Sequence, residues 1–256
     1  MKNYSAITPY IEEKASLSCA NNHIVSQMYE QHHVFRGLRD INGKGVVTGL
    51  TEISHIKAKD VLTDGTEVPC DGQLFYRGIN VRELVAGAQR DGHFGFEEAV
   101  YLLLFSELPT SSELSEFGEV LSDYRSLPTS FVRDMILKAP GKDMMNILSR
   151  SVLALYAYDD NPDDISIPNV LRQCLQLIAM FPMLSAYSYQ SYQHYHLGKS
   201  LFIHMPEKSL STAQTFCGLS VRTEALPSLR LRYSTLRLCF MLSTAAAIIL
   251  PLPLTL

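Results

Sequence analysis

The chain has 256 residues, a formal net charge of -4 and a pI near 6.1, with 46% hydrophobic and 19% charged side chains. That is enough to bury a core in one or two domains with the composition of a soluble globular protein, and the acidic balance argues against a nucleic-acid partner. The five cysteines, odd in number and without a C-x-x-C pair, argue against a disulfide framework or zinc site and fit free thiols in a reducing cytoplasm.

The opening Met1-Lys-Asn-Tyr-Ser5 lacks the apolar run of a signal peptide. Residues 1–35 read as broken helix. Thr8-Pro9 has the signature of a helix start, and Asn21-Asn22 that of a stop and restart. From Gly37 to Tyr76 the pattern changes to short β-prone pieces around Val46-Val47, Leu50 to Ile56 and Gln73 to Tyr76. The turn pairs Asn42-Gly43, Asp64-Gly65 and Asp71-Gly72 separate them, which predicts small hairpins.

Beyond Asn80 the chain reads as helical. Asn80-Val-Arg-Glu83 and Thr110-Ser-Ser-Glu113 have capping-box spacing, in which a short polar side chain accepts from an early backbone N–H and a carboxylate reaches back. Phe96 to Phe105 is apolar after Glu97-Glu98 but too short to span a bilayer, so a buried helix ending at Leu108-Pro109 is predicted. A helix over 111–126 should end at Leu127-Pro128. In 142–158, Met145, Leu148, Val152 and Leu155 share one helical face. Asp159 to Asp164 reads as a solvated turn; it lacks the glycine and terminal glutamate of a calcium loop. Ser166-Ile-Pro168 opens a long helix to about Tyr192, which Pro182 should kink or interrupt.

Several stretches carry a family resemblance. They are Gly37-Leu-Arg-Asp-Ile-Asn-Gly-Lys-Gly-Val-Val-Thr-Gly-Leu-Thr-Glu-Ile53, Asp71-Gly-Gln-Leu-Phe-Tyr-Arg-Gly78, and Gly95-Phe-Glu-Glu-Ala-Val-Tyr-Leu-Leu-Leu-Phe105 with Glu107-Leu-Pro109. Asp143-Met-Met-Asn146, Ser166-Ile-Pro-Asn-Val-Leu-Arg172, and His194-Tyr-His196 with Lys199-Ser-Leu-Phe-Ile-His204 follow in order. Together they resemble a bacterial citrate synthase of the citrate/2-methylcitrate type over roughly residues 30–216. The resemblance implies a mainly α fold with small N-terminal β-hairpins, here a truncated large domain with the small domain missing.

Members of that family condense an acyl-CoA thioester with a 2-oxo diacid: acetyl-CoA and oxaloacetate give citrate and CoA, a step of the tricarboxylic acid cycle. A carboxylate removes a proton from the carbon beside the thioester while a histidine donates to the thioester oxygen. A second histidine polarises the ketone, and arginines clamp the carboxylates. The resemblance implies no covalently bound cofactor, acetyl-CoA as a substrate, and a homodimer built on the central helices. Residues 142–158 and 168–192, with Met144, Met145, Leu175, Ile178, Phe181 and Leu184, are the candidate contact surface. A 2-methylcitrate synthase fragment using propionyl-CoA is the alternative within the family.

The family's His-Gly-Gly-Gly-Asn-Asn segment is absent as written. After Glu224 no acidic residue occurs, no histidine follows His204, and the chain runs out through Leu242-Ser-Thr-Ala-Ala-Ala-Ile-Ile-Leu-Pro-Leu-Pro253. Codons for Met241 onward, read one base out of register, can spell Ala-Glu-His-Gly-Gly-Gly-Asn-Asn-Ser-Thr-Phe-Thr. We therefore expect 1–216 to be the N-terminal part of the large domain and 217–256 to be an out-of-frame tail, not a native domain. The family's first catalytic histidine falls where this chain reads Ser243-Thr244. No catalytic, cofactor-binding or metal-binding residue carries over, and the chain as written is expected to be inactive.

The other conspicuous residues have plain readings. His32-His33 point apart on a helix with no companion ligands. Asn42-Gly-Lys-Gly45 lacks the ending of a phosphate loop. His194, His196 and His204 lie in the stretch that the resemblance sets beside the substrate cleft, where a supporting role competes with a structural one. Leu238 to Leu256 is apolar behind Arg230, Arg232 and Arg237. Taken at face value it would make a non-enzymatic helical protein with a membrane tail, but Pro251 and Pro253 make it a poor anchor. A cytoplasmic location without membrane or nucleic-acid partners is expected.

Overall fold

The computed structural model describes residues 26–31 and 52–220. Residues 1–51 form one unit and residues 52–256 another. In the first, a short helix α1 spans Ser26–Gln31. The readings placed on His32-His33, Asn42-Gly45, Val46-Val47 and the tail beyond 220 lie outside the described residues.

The second unit opens with an antiparallel sheet, β1 (Ser54–Val61), β2 (Glu67–Tyr76) and β3 (Ile79–Asn80), in that spatial order. Asp64-Gly65 makes the β1–β2 turn as predicted. Gly65 takes φ +82 and the Asp64 carboxylate accepts from the Thr66 N–H at 2.9 Å. Asp71-Gly72 does not form a turn. Lys57 pairs with Gln73 but Lys59 pairs with Pro69, so Cys70, Asp71 and Gly72 oppose the single residue Ala58. The pair therefore marks a bulge inside one long strand. Arg77 and Gly78, at φ 47 and 82, form the two-residue turn to β3. The Arg77 guanidinium donates to the Leu103 carbonyl at 3.0 and 3.3 Å, fastening that turn to the end of a helix.

Five α-helices of the main body follow the sheet: α2 (Val81–Asp91), α3 (Phe96–Phe105), α4 (Ser111–Tyr124), α5 (Met144–Leu155) and α6 (Ile167–Leu197). A sixth, α7, spans Thr212–Ser220. A π-helical segment, Val132–Leu137, lies between α4 and α5 and had no signal in the sequence pattern. Asn80 caps α2 by accepting from the Arg82 N–H at 2.9 Å. Thr110 and Glu113 complete both halves of a capping box on α4. Asp143 accepts from Met145 and Asn146 to start α5. Helix α3 stops at Ser106, which takes the left-handed φ of 69 three residues before Pro109.

Helix α6 runs unbroken through Pro182 and reaches Leu197, where Gly198 caps it at φ 65. Pro182 is fully buried. Burial of the ring against the core outweighs the one backbone hydrogen bond that proline removes, so the predicted interruption does not occur. Three apolar clusters hold the body together. Tyr76, Leu84, Ala99, Leu102 and Leu103 join the sheet to α2 and α3. Phe96, Val100, Phe117, Leu121 and Ala179 join α3, α4 and α6. Phe131, Ile136, Ile147, Met183, Leu184, Tyr187 and Leu219 join the π-helical segment, α5, α6 and α7. Leu184, expected at an intermolecular surface, is fully buried in this third cluster and has no free face to offer a partner.

Candidate functional site

Helix α7 begins where the polar side chains of Ser211, Gln214, Glu97 and Arg125 converge. Ser211 caps it by accepting from the Gln214 N–H at 3.3 Å, while Gln214 accepts from the Ser211 N–H at 2.9 Å. Glu97, in the first turn of α3, accepts from the Thr212 N–H at 2.7 Å, placing a carboxylate at the positive end of α7. Arg125, only 6% exposed at the end of α4, donates to the Leu210 carbonyl at 2.7 Å and to the hydroxyls of Thr215 and Thr212 at 2.8 and 3.3 Å. Burial lowers the Arg125 pKa below the usual guanidinium value, and the Glu97 charge opposes that shift.

A cleft of about 550 Å³ opens beside this junction, lined by His93, Glu97, Glu98, Glu119, Asp123 and Lys208 among others. The His93 Nε2 lies 3.8 Å from a Glu98 carboxylate oxygen that is itself buried. Burial raises the Glu98 pKa, the His93 charge lowers it, and Asp91 raises it again. Lys208 bonds Asp123 at 2.8 Å across the mouth. In sequence Glu97-Glu98 reads only as the polar start of an apolar helix, and Arg125 carries no signal. The carboxylate pair at a helix N-terminus was the one available signal; nothing local announces a buried arginine whose partners lie 85 to 90 residues away.

A second cavity, of about 610 Å³, is lined by Val152, Tyr156, Tyr158, Asp159, Arg172 and Gln176 among others. The segment 159–164 beside it is more than a solvated turn. Asp159 accepts from the Asn161 N–H, from Gln173 and, through both oxygens, from Arg172 at 2.8 and 2.9 Å. These donors, led by the Asn161 N–H, hold the Asp159 carboxyl below its usual range. Asp163 accepts from the Tyr156 hydroxyl, and Asp164 accepts from Ser166 at the start of α6.

The histidines near the end of α6 have separate surroundings. His194 Nδ1 donates to the Lys199 carbonyl at 2.8 Å and so secures the turn after the helix. The His196 ring packs on Tyr192 at 5.5 Å, and the His204 ring stacks on Phe202 at 6.4 Å while its carbonyl accepts from the Tyr187 hydroxyl. The Nε2 atoms of His196 and His204 are buried without a hydrogen-bond partner among the described residues. Among those residues, no group of three or more His, Cys, Asp or Glu side chains is disposed to hold a metal ion. No described helix is long and apolar enough to cross a membrane.

The architecture defines a class before any comparison: a mainly helical body with a small antiparallel sheet at its N-terminal side. Residues 38–243 match the family described as "Citrate synthase, C-terminal domain". The chain belongs to the citrate synthase family. It is similar to 2-methylcitrate synthase 1 of Corynebacterium glutamicum, 29% identical over 143 residues that make up 56% of this chain and 33% of that protein. It is equally similar, at 29% over 178 residues, to the citrate synthase of the same organism, covering 67% of this chain and 35% of that one. The chain thus spans about a third of the length of these relatives. Among solved structures, citrate synthase from Pyrobaculum aerophilum superposes with a TM-score of 0.60 at 25% identity, over 79% of this chain and 46% of that one. Both the family match and α7 run past Phe216, and neither marks a break there.

Proposed function

We propose that this chain is scaffold from the large domain of an enzyme that condenses acetyl-CoA with oxaloacetate to give citrate and CoA. We further propose that the 256 residues as written do not carry out that reaction. The observation that supports the first part is the family match over residues 38–243. The second part rests on residue content. The reaction needs a carboxylate to take the carbon-bound proton and histidines to donate to the two carbonyl oxygens, and 225–256 supplies neither residue type. The change of register is placed at about Phe216, with 217–256 read out of frame.

A 2-methylcitrate synthase is the second reading, favoured by the equal identity to the two Corynebacterium glutamicum enzymes. The proposal extends to a cytoplasmic homodimer. Cys70 and Cys174, neither in a disulfide, are in keeping with a reducing compartment. The exposed Met145, Leu153 and Tyr156 of the α5 region, at 69%, 76% and 54%, supply an apolar contact surface. The test is CoA-thiol release from acetyl-CoA or propionyl-CoA with oxaloacetate. The 256-residue chain should give the blank rate with both, and turnover above blank would overturn its inactivity. The gene re-encoded in the shifted register from about residue 217 and continued through the codons that follow in that register to its own stop should turn over, and the thioester giving the higher kcat/KM separates the two readings.

A further inference from the structure

The turn between α2 and α3 closes on a histidine. Its residues are Gly92, His93, Phe94 and Gly95, with both glycines left-handed at φ 80 and 69. A Cβ on Gly95 would lie 2.9 Å from the Cβ of Ala88, so the turn is pressed against α2. One side-chain bond closes it: the Gly95 N–H donates to Nδ1 of His93 at 3.1 Å. An imidazole nitrogen accepts only when it bears no proton, so this bond fixes the neutral ring with its hydrogen on Nε2. That nitrogen faces the Glu98 carboxylate at 3.8 Å.

The same ring therefore serves two contacts with opposite proton requirements. The bond to Gly95 needs Nδ1 bare. The approach to Glu98 strengthens when the ring is an imidazolium. The charged groups around it are Asp91 at the end of α2, Glu97 and Glu98 on α3, Glu119 and Asp123 on α4, and Lys208 on the loop before α7. Lys208 is bound to Asp123 at 2.8 Å.

We propose that His93 is a proton-operated latch: on protonation it releases the Gly95 N–H and turns to pair with Glu98, loosening the first turn of α3. Glu97 in that turn also holds the N-terminus of α7 through the Thr212 N–H. Acidification thereby weakens the anchorage of α7 at a site more than a hundred residues along the chain.

The experiment is amide exchange of Gly95 in the full chain, corrected for intrinsic pH dependence, from about pH 8 to about pH 5, a range that brackets the ordinary histidine value near 6.5. Protection should fall about tenfold as His93 titrates, the loss of one hydrogen bond, and Thr212 protection should fall with it. In His93→Gln the amide oxygen can still accept from Gly95 but does not titrate, so protection there should be independent of pH. Unchanged Gly95 protection across the range in the parent chain, or the same pH dependence in His93→Gln, would overturn the proposal. The imidazole nitrogen resonances of the parent chain give a second check that needs no variant. They should report Nε2–H at high pH, and an Nδ1–H tautomer would equally overturn it.

Discussion

Thr110 and Glu113 are the clearest case of single residues doing what their spacing says. The Glu113 carboxyl is held below its ordinary range by hydrogen bonds from the Thr110 hydroxyl and N–H. A carboxyl depressed in the folded state contributes stability above its unfolded value near 4.3, and that contribution disappears as pH falls through the folded value. Glu113→Gln should therefore lower the melting temperature at neutral pH, with the difference from the parent closing as pH falls through the depressed folded-state value. Thr110→Ala should cost about 1 kcal/mol at neutral pH, read from denaturant titration. Arg125 is the contrary case, legible only in three dimensions. Arg125→Met keeps much of the volume but strands the Leu210 carbonyl and two threonine hydroxyls. A loss of about 2–4 kcal/mol is expected by the same measurement.

At the scale of elements, apolar periodicity located α5, an apolar run located α3, and capping spacing placed the starts of α2 and α4, while α7 had no expectation. Tertiary packing decided the rest. Asp71-Gly72 carries the composition of a turn, yet the ladder to β1 resumes on both sides and absorbs it as a bulge. Pro182 carries the signature of a break, yet it lies inside a helix of 31 residues because its ring is buried. The π-helical segment Val132–Leu137 has no composition that distinguishes it from an ordinary helix, and only the burial of Phe131 and Ile136 shows what it serves. Gly95 tests the close packing of α2 against α3. Gly95→Ala forces a left-handed alanine and a 2.9 Å contact with Ala88, so a loss of about 2–4 kcal/mol is expected in chemical denaturation. Ser106→Gly relieves a left-handed serine at the end of α3 and should stabilise by about 0.5–1 kcal/mol.

For the whole molecule, the family was legible because six short stretches occur in the right order, and the mainly helical body agrees with it. The candidate site was less legible. The polar junction of Glu97, Arg125 and Thr212 draws on three segments far apart in the chain, so no local window contains it. The histidines that drew attention on sequence each have surroundings of their own. Under the proposed function, the reacting groups are those spelled by the displaced register beyond the described residues. The measurement that bears most directly on this is the nucleotide sequence of the coding DNA through codons 217–256. The frame displaced by one base should spell His-Gly-Gly-Gly-Asn-Asn across the codons for Ser243 to Ile249. A displaced frame that encodes any other run there would contradict it.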